Sequence, residues 1–344
     1  MLDIKETVDN WLSENNQIAL ATVTKTWGSA PRREGAKMAV TPDLAMIGSV
    51  SGGCIEGAVI EEALTGLKKG QSKLLSFGVA DDEAWEVGLT CGGRINVFVE
   101  ALDQTWWQLL KDRTEQDLLT LTITILEGDL AGEKALFDES NTVLYQTEKL
   151  SDETLAELQA IAGKTHRSGQ STWQATQIMV DVSNPRPHLI IIGGVHVAIP
   201  LQAFARMMGF RVSIVDPRQA FATQERFPDV ETISHEYPTK ALEKLGLDRD
   251  TYLAVLTHDP KIDDQALIAA LPANIPYIGV LSSSRTHEKR KARLREAGLD
   301  ESLFEQIYTP IGIGVGGRNP EAIALGVMAE IVAVRNGVRE QVGA

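Results

Sequence analysis

Cysteine is scarce in this chain of 344 residues: there are two, Cys54 and Cys91. Two thiols cannot build a disulfide framework, and they suit a reducing compartment. Positive charge is in deficit as well, with 33 Lys+Arg against 47 Asp+Glu and a net charge of −14. That argues against a general nucleic-acid binder, which needs a dominant basic face, and against a polybasic membrane-surface protein. A local basic pocket for a small anion stays compatible with it. No apolar run approaches the roughly 18 residues of a membrane span. The start, MLDIKETVDNWL, carries Asp3, Glu6 and Asp9 and lacks the basic-then-apolar order of a secretory signal. A cytoplasmic soluble protein is expected. No fixed-period repeat or low-complexity stretch is visible. Hydrophobic residues at 43% and charged residues at 23% are ordinary for a globular protein, and the length suggests two domains with a sizeable core.

The first half mixes helix and strand signals. An amphipathic helix at the start carries Val8, Trp11 and Leu12 on one side. IALATV (18–23) reads as a strand, and AKMAV (36–40) and AMI (45–47) flank the turn TPDL as a hairpin. A helix is expected from about Cys54 to Lys69, stopped by Gly70. KLLSF and RINVFVE follow as strands. From about Trp106 to Val182 the pattern is β-rich. In LLTLTITIL, Leu119, Leu121, Ile123 and Ile125 alternate with Thr120, Thr122 and Thr124, the mark of a half-buried strand. ALFD, TVLYQ and QIMVDV add short strands, and the stretch is expected to extend the sheet of the first domain.

VSNPRPH (182–188) punctuates the chain, and strands alternate with helices beyond it. The fold class is therefore α/β. An N-terminal α+β domain over 1–183 has mixed or antiparallel strands and a β-rich extension from about residue 106. A Rossmann-like domain over 188–344 follows, with a doubly wound parallel sheet.

The C-terminal half carries a flawed nucleotide signature. HLIIIGGVHVAIPLQAFARMMGFRVSIVDPR gives a strand, a turn at Gly193 and Gly194, a helix, and a second strand ending at Asp216. That spacing suits a carboxylate for ribose hydroxyls. Val195, however, stands where a GxGxxG turn has its second glycine, and a stiff β-branched residue disfavours positive φ. The turn can equally be kept for helix–strand packing. Three polar clusters follow strand ends: Asp216-Pro217-Arg218; Thr257-His258-Asp259-Pro260 with Asp263; and Ser282-Ser283-Ser284-Arg285-Thr286-His287, which runs into Lys289, Arg290 and Arg293. Hydroxyls and N–H groups at a helix start, with arginine, suit an anion; the same basic run also suits a solvated helix face. His258 and His287 lack metal-pair spacing. Asn319, Pro320 and Glu321 read as a helix start, and the glycines at 312, 314, 316 and 317 permit close approach of a ligand.

The N-terminal half carries two Gly-Cys motifs. TWGSAPRREGAKM places Ser29, Arg32, Arg33 and Lys37 in a loop between strands. IGSVSGGCIEGAVIEEA places Ser49, Ser51, Gly52, Gly53 and Cys54 at a helix start, with Glu56 just beyond. VGLTCGGRINVFVE places Thr90, Cys91, Gly92 and Gly93 before a strand. Paired glycines leave room beside each sulfur. A helix N-terminus favours thiolate, which makes Cys54 the better reactive candidate; a small buried hydrophobe is the commoner fate of a lone cysteine. Two cysteines without matching histidines make no zinc site.

In order along residues 20–335, GSAPRREGAKM, GSVSGGCIEGAVIEEA, GLTCGGRINVFVE, VDPRQAFATQERFPD, LTHDPKIDDQAL, SSSRTHEKR and GIGVGGRNPEAIALGVMAEI resemble the xanthine dehydrogenase accessory (XdhC/CoxI) family. The resemblance implies a non-catalytic chaperone for molybdenum cofactor (molybdopterin). Such a factor binds the cofactor, holds it while a cysteine-desulfurase-type sulfurase installs the terminal sulfido ligand, and delivers it to a xanthine dehydrogenase or CO dehydrogenase-type molybdenum hydroxylase apoenzyme. It also implies a cytoplasmic homodimer. On that reading Arg32, Arg33, Arg285 and Arg290 take phosphate or molybdenum oxo groups, and Cys54 and Cys91 contact molybdenum or sulfur. Ser51, Gly52, Gly53, Glu56, Thr90, Gly92, Gly93, Gly193, Gly194, Asp216, Arg218, His258, Asp259, Ser284 and Thr286 complete the expected cofactor-binding set. Where the family shows a GAG-type turn, this chain has Gly193-Gly194-Val195. Where relatives have GSRRTH, it has SSSRTH, with Ser284 in place of an arginine. Two other readings stay open. One is an NAD(P)-dependent oxidoreductase with His258 or His196 as proton donor. The other is a redox sensor with a reversible Cys54–Cys91 disulfide.

Overall fold

The structure is a computed structural model and describes residues 4–14, 16–28, 32–78, 93–165 and 167–338. The chain forms two compact units, Met1–Pro185 and Arg186–Ala344.

Strand alternation builds the first unit. After α1 (Lys5–Ser13), the strands β1 (Ala19–Trp27), β2 (Lys37–Val40) and β3 (Met46–Gly48) precede α2 (Glu56–Lys69), and β4 (Lys73–Phe77) and β5 (Arg94–Ala101) follow it. They make an antiparallel sheet in the order β3-β2-β1-β5-β4. Ala19, Ala21, Val23, Val97 and Val99 face α2 and meet its Val59 and Ala63. The intervening positions turn to the other face, because side chains alternate along a strand. There Leu20 and Ala39 pack with Val8 of α1 and with Trp106, Trp107 and Leu110 of α3 (Gln104–Glu115). Gly70 ends α2 in the left-handed conformation, φ 63 and ψ 35, which glycine adopts without a Cβ clash. The expected stop is thus observed, while the helix starts two residues beyond Cys54.

The β-rich stretch does not extend that sheet. β6 (Thr120–Ile125), β7 (Lys134–Asp138), β8 (Val143–Gln146), β9 (Gly169–Trp173) and β10 (Thr176–Ser183) form a second antiparallel sheet, ordered β8-β7-β6-β10-β9. Its outer face is covered by α4 (Asp152–Ala162), whose Leu158 packs with Ile123, Ile125, Phe137 and Ile178. β6 is buried along its whole length rather than half-buried. Its threonines do not meet solvent; they face an internal polar seam between the two sheets. Two ion pairs cross it. Lys37 Nζ lies 2.6 Å from Asp181 Oδ2, and Lys134 Nζ lies 2.7 Å from Glu100 Oε1. Trp106 Nε1 donates to Thr122 Oγ1 at 3.0 Å, and Lys134 Nζ stands 4.7 Å from the Trp106 ring centre. Lys37, expected in a loop, is the buried first residue of β2.

Alternating strands and helices build the second unit. The elements are β11 (His188–Ile192), α5 (Ala198–Met207), β12 (Arg211–Val215), β13 (Thr232–Ser234), α6 (Pro238–Leu245), β14 (Thr251–Val255), α7 (Pro260–Ala270), β15 (Tyr277–Val280), α8 (Ser284–Glu296), β16 (Ile307–Tyr308) and α9 (Pro320–Arg335). The six strands are parallel, in the order β13-β12-β11-β14-β15-β16, so the order reverses beside β11. This is the expected doubly wound sheet. Leu201 of α5 and Val327 and Ile331 of α9 cover one face with Leu189 and Ile191. Leu242, Leu267 and Leu294 cover the other with Ile190, Ile192 and Leu253. A strand buried on both sides reads as a continuous apolar run, which is why HLIII stands out in the sequence. Asn319 precedes α9 as expected, but its side chain donates to Glu321 Oε2 at 2.8 Å and makes no cap bond to the backbone.

Removing one charge from the seam strands the other. Lys134→Met is expected to lower unfolding free energy by about 3–5 kcal/mol. Adding Glu100→Leu to it should restore most of that loss, read from urea unfolding midpoints.

Candidate functional site

A buried loop needs partners for its own N–H donors, and the loop before α2 turns them onto a carboxylate from the first residue of the helix. Glu56 Oε1 accepts from Ser49 Oγ at 2.7 Å, Ser51 N–H at 2.9 Å, Gly52 N–H at 3.0 Å and Val50 N–H at 3.3 Å. Its Oε2 accepts from Ser51 Oγ at 2.5 Å and Gly53 N–H at 2.9 Å. The Ser51 hydroxyl in turn accepts the Cys54 and Ile55 N–H groups, both at 3.1 Å. Wrapping the backbone round one carboxylate requires positive φ at Gly52 and Gly53, 82° and 117°. Only glycine takes such angles readily. Burial works to raise the Glu56 carboxyl, but the hydroxyls of Ser51 and Ser49 and the Ser51 N–H outweigh it and bring it down from 4.5 to about 2. Ser51 and Glu56, expected among the ligand contacts, are therefore buried and use their polar atoms within the loop.

This arrangement leaves Gly52, Gly53 and Cys54 exposed. Arg32 joins the same loop, its Nε donating to Ser49 O at 3.1 Å, and Arg33 beside it is exposed. Gly93 is buried just ahead of β5. Ser29, Thr90, Cys91 and Gly92 lie outside the described residues. Among the described residues no three His, Cys, Asp or Glu side chains are grouped to hold a metal ion.

In the second unit, the side chains at the carboxyl ends of the strands pair with each other. Asp216, just beyond β12, is fully buried. Its Oδ2 accepts Gly194 N–H at 2.9 Å and Arg218 Nη2 at 2.7 Å; its Oδ1 accepts Arg218 Nε at 2.9 Å and Arg218 N–H at 3.0 Å. Burial would raise this carboxyl, yet the bonds from Arg218 and Gly194 hold it below the ordinary carboxylate range. A Cβ on Gly194 would stand 2.4 Å from the Phe221 carbonyl oxygen. The carboxylate expected for ribose is thus saturated, and a carbonyl lies over the turn where a pyrophosphate would need N–H donors. The residues present do not fit a dinucleotide in the usual Rossmann position. The cause differs from the expected one. Val195 does not have positive φ and packs, half-buried, against the core; Asp216 and Phe221 close the turn. Gly193, at φ 108, is required because a Cβ there would meet Thr257 Cγ2 at 2.5 Å.

Arg290, expected to meet phosphate, is 2% exposed. Its Nη2 donates to Asp263 Oδ2 and its Nη1 to Ser282 Oγ, both at 3.1 Å. Thr257 Oγ1 donates to Asp263 Oδ1 at 2.5 Å, and Ser282 Oγ and Thr309 Oγ1 share a hydrogen 2.9 Å apart. The guanidinium therefore ties the ends of β14, β15 and β16 together and is not presented to a ligand. Asp259 caps α7, accepting Lys261 N–H at 2.9 Å, while His258 before it is exposed in a left-handed conformation, φ 65. Non-glycine residues hold such angles at a cost, and these angles cluster at functional sites. Ser283 caps α8, accepting Thr286 N–H at 3.3 Å. Ser284 opens that helix, and Arg285 and Thr286 are exposed in its first turn. Burial, then the neighbouring Lys291 and Arg290, push the His287 pKa below the ordinary histidine value.

Residues 11–78 match the family described as XdhC and CoxI family, and residues 189–331 match the XdhC Rossmann domain. The chain belongs to the XdhC/CoxI family. The motif resemblance is thereby borne out. This XdhC/CoxI protein is 28% identical over 338 residues to a probable xanthine dehydrogenase subunit of Bacillus subtilis (strain 168), covering 96% of this chain and 97% of that one. It is 27% identical over 317 residues to the molybdenum cofactor insertion chaperone PaoD of Escherichia coli (strain K12), covering 92% of this chain and 83% of PaoD. It also matches the uncharacterized protein YqeB of Escherichia coli (strain K12) at 24% identity over 94% of this chain, spanning 44% of YqeB. A crystal structure described as a xanthine dehydrogenase from Bacillus halodurans shares the fold, with a TM-score of 0.77 at 23% identity over 96% of this chain and 95% of that one.

The Glu56 cradle has a pH signature. A carboxyl whose folded value is depressed stabilises fully above its unfolded value and loses that contribution as pH falls through the folded one. Wild type should therefore lose roughly 3 kcal/mol of unfolding free energy from this group between pH 4.5 and pH 2. Glu56→Gln should be less stable near pH 7, with the gap narrowing across that window in urea melts.

Proposed function

We propose that this protein binds molybdenum cofactor and acts as an insertion chaperone for a molybdenum hydroxylase of the xanthine dehydrogenase type. The observation that carries the reading is the likeness to PaoD over 92% of the chain. The cargo is an anionic pterin with a phosphate and a dithiolene-bound metal, and exposed groups of this chain suit its parts. Cys54 is exposed in the loop before α2, and its sulfur would contact molybdenum or a sulfur ligand, as soft donors do. Cys91 is the second thiol we assign to that role. Arg33 and Arg285 offer exposed guanidiniums for phosphate or oxo groups, with Arg32 held on the Ser49 carbonyl of the loop before α2. Ser283 and Thr286 shape the α8 turn that presents Arg285. Glu56 and Arg290 hold these frames and do not touch the cargo.

In this reading the protein is a carrier and catalyses no reaction of its own. It shields the cofactor while a cysteine-desulfurase-type sulfurase supplies sulfur, then passes it to the apoenzyme. It works in the cytoplasm as a homodimer. The closed turn at Gly194 weighs against an NAD(P)-dependent oxidoreductase.

Anaerobic mixing with molybdenum cofactor, gel filtration, and molybdenum and phosphate analysis test the proposal, with NADH run in parallel. Molybdenum and phosphate should co-elute with wild type, and retention should fall roughly tenfold in Cys54→Ala and in Cys91→Ala. NADH should elute separately. Retained NADH with no retained cofactor would overturn the carrier reading.

A further inference from the structure

The same interaction that closes the dinucleotide turn stacks the Arg218 guanidinium on the Phe221 ring in a partly exposed pair. The Arg218 guanidinium is held along its edge by Asp216 through Nε and Nη2, a bidentate geometry that fixes the orientation of its plane. Its central carbon lies 4.0 Å from the Phe221 ring centre. Neither group is shut in: the Arg218 side chain is 33% exposed and Phe221 is 38% exposed. Arg226 Nη1 donates to the Phe221 carbonyl and steadies the segment. The surface lies just beyond the carboxyl end of β12, the edge on which doubly wound sheets take ligands.

We propose that Arg218 and Phe221 form a stacking platform for the pterin ring of the cargo; this rests on the carrier reading above. Phosphate is a poor occupant here. The in-plane donors of Arg218 facing Asp216 are already used, its charge is matched by that buried carboxylate, and Asp259 and Asp263 act on the same guanidinium. A nucleoside would need a ribose acceptor, and Asp216 has none to offer. The pyrimidinone ring of a pterin is flat, uncharged at neutral pH and polarisable, so it gains from stacking on the outer face of this guanidinium–arene pair without needing an ionic partner. Phosphate and ring are thus read by different residues, the ring by this platform and the phosphate by exposed arginines elsewhere.

The test is fluorescence titration of the full chain with 6-hydroxymethylpterin. Wild type should bind it saturably, with a dissociation constant unchanged between about 50 and 500 mM KCl, because no net charge is read. Phe221→Ala should weaken binding roughly tenfold, and Phe221→Trp should keep it. Inorganic phosphate or AMP should not displace the pterin. Melting midpoints equal to wild type establish that both variants are folded. Wild-type affinity in a folded Phe221→Ala variant, or displacement by phosphate or AMP, would overturn the platform. Molybdenum cofactor retained by wild type without pterin binding would overturn the platform and leave the carrier role standing. Retention of neither would overturn both.

Discussion

A carboxylate shut away from water keeps its charge only where donors surround it. That requirement shapes both units of this protein. In the first, Glu56 gathers four backbone N–H groups and two hydroxyls, and the loop that supplies them has to fold round it. Cys54 is exposed because its loop turns inward elsewhere. In the second, Asp216 gathers Gly194 N–H and the Arg218 fork. The glycine turn is closed and the guanidinium plane is fixed by one and the same set of bonds. The surfaces open to a ligand are thus set by charges that never meet it.

The doubly wound half was legible because its signals are local. HLIII is continuous and apolar, Asp216 ends the second strand, and the helix start read at Asn319, Pro320 and Glu321 opens α9. β13 and α6 escaped the reading because each is short: three and eight residues. The signal available was Pro238 at the first turn of α6. In the first half, LLTLTITIL announced alternation. Alternation says that a strand has two faces, not what covers each, so a second sheet over the threonines was invisible.

The site residues divide along the same line. Exposure of Gly52, Gly53 and Cys54 was foreshadowed by the paired glycines. The inward turn of Glu56 was not, although a glutamate three residues after Gly53 has the offset that reaches back to N–H groups at a helix start. Arg290 sits in a basic run that resembles a solvated helix face, and its partner Asp263 lies 27 positions earlier; no local pattern links the two. Asp216 was located by spacing, but its commitment to Arg218 depends on side-chain geometry that spacing does not encode. Here a Rossmann topology coexists with a turn unsuited to a dinucleotide, because topology sets where ligands can approach and side chains decide which do.

The two ion pairs of the N-terminal seam run in opposite senses. The first sheet contributes the lysine to one and the acid to the other. A displacement that exchanged partners would set Lys37 against Lys134 and Glu100 against Asp181. The joint is therefore keyed like a polarised plug, with one seating that leaves no like charges facing. Recombination among relatives can exchange the two sheets as a block, but grafting one of them alone requires that the donor carry the same polarity.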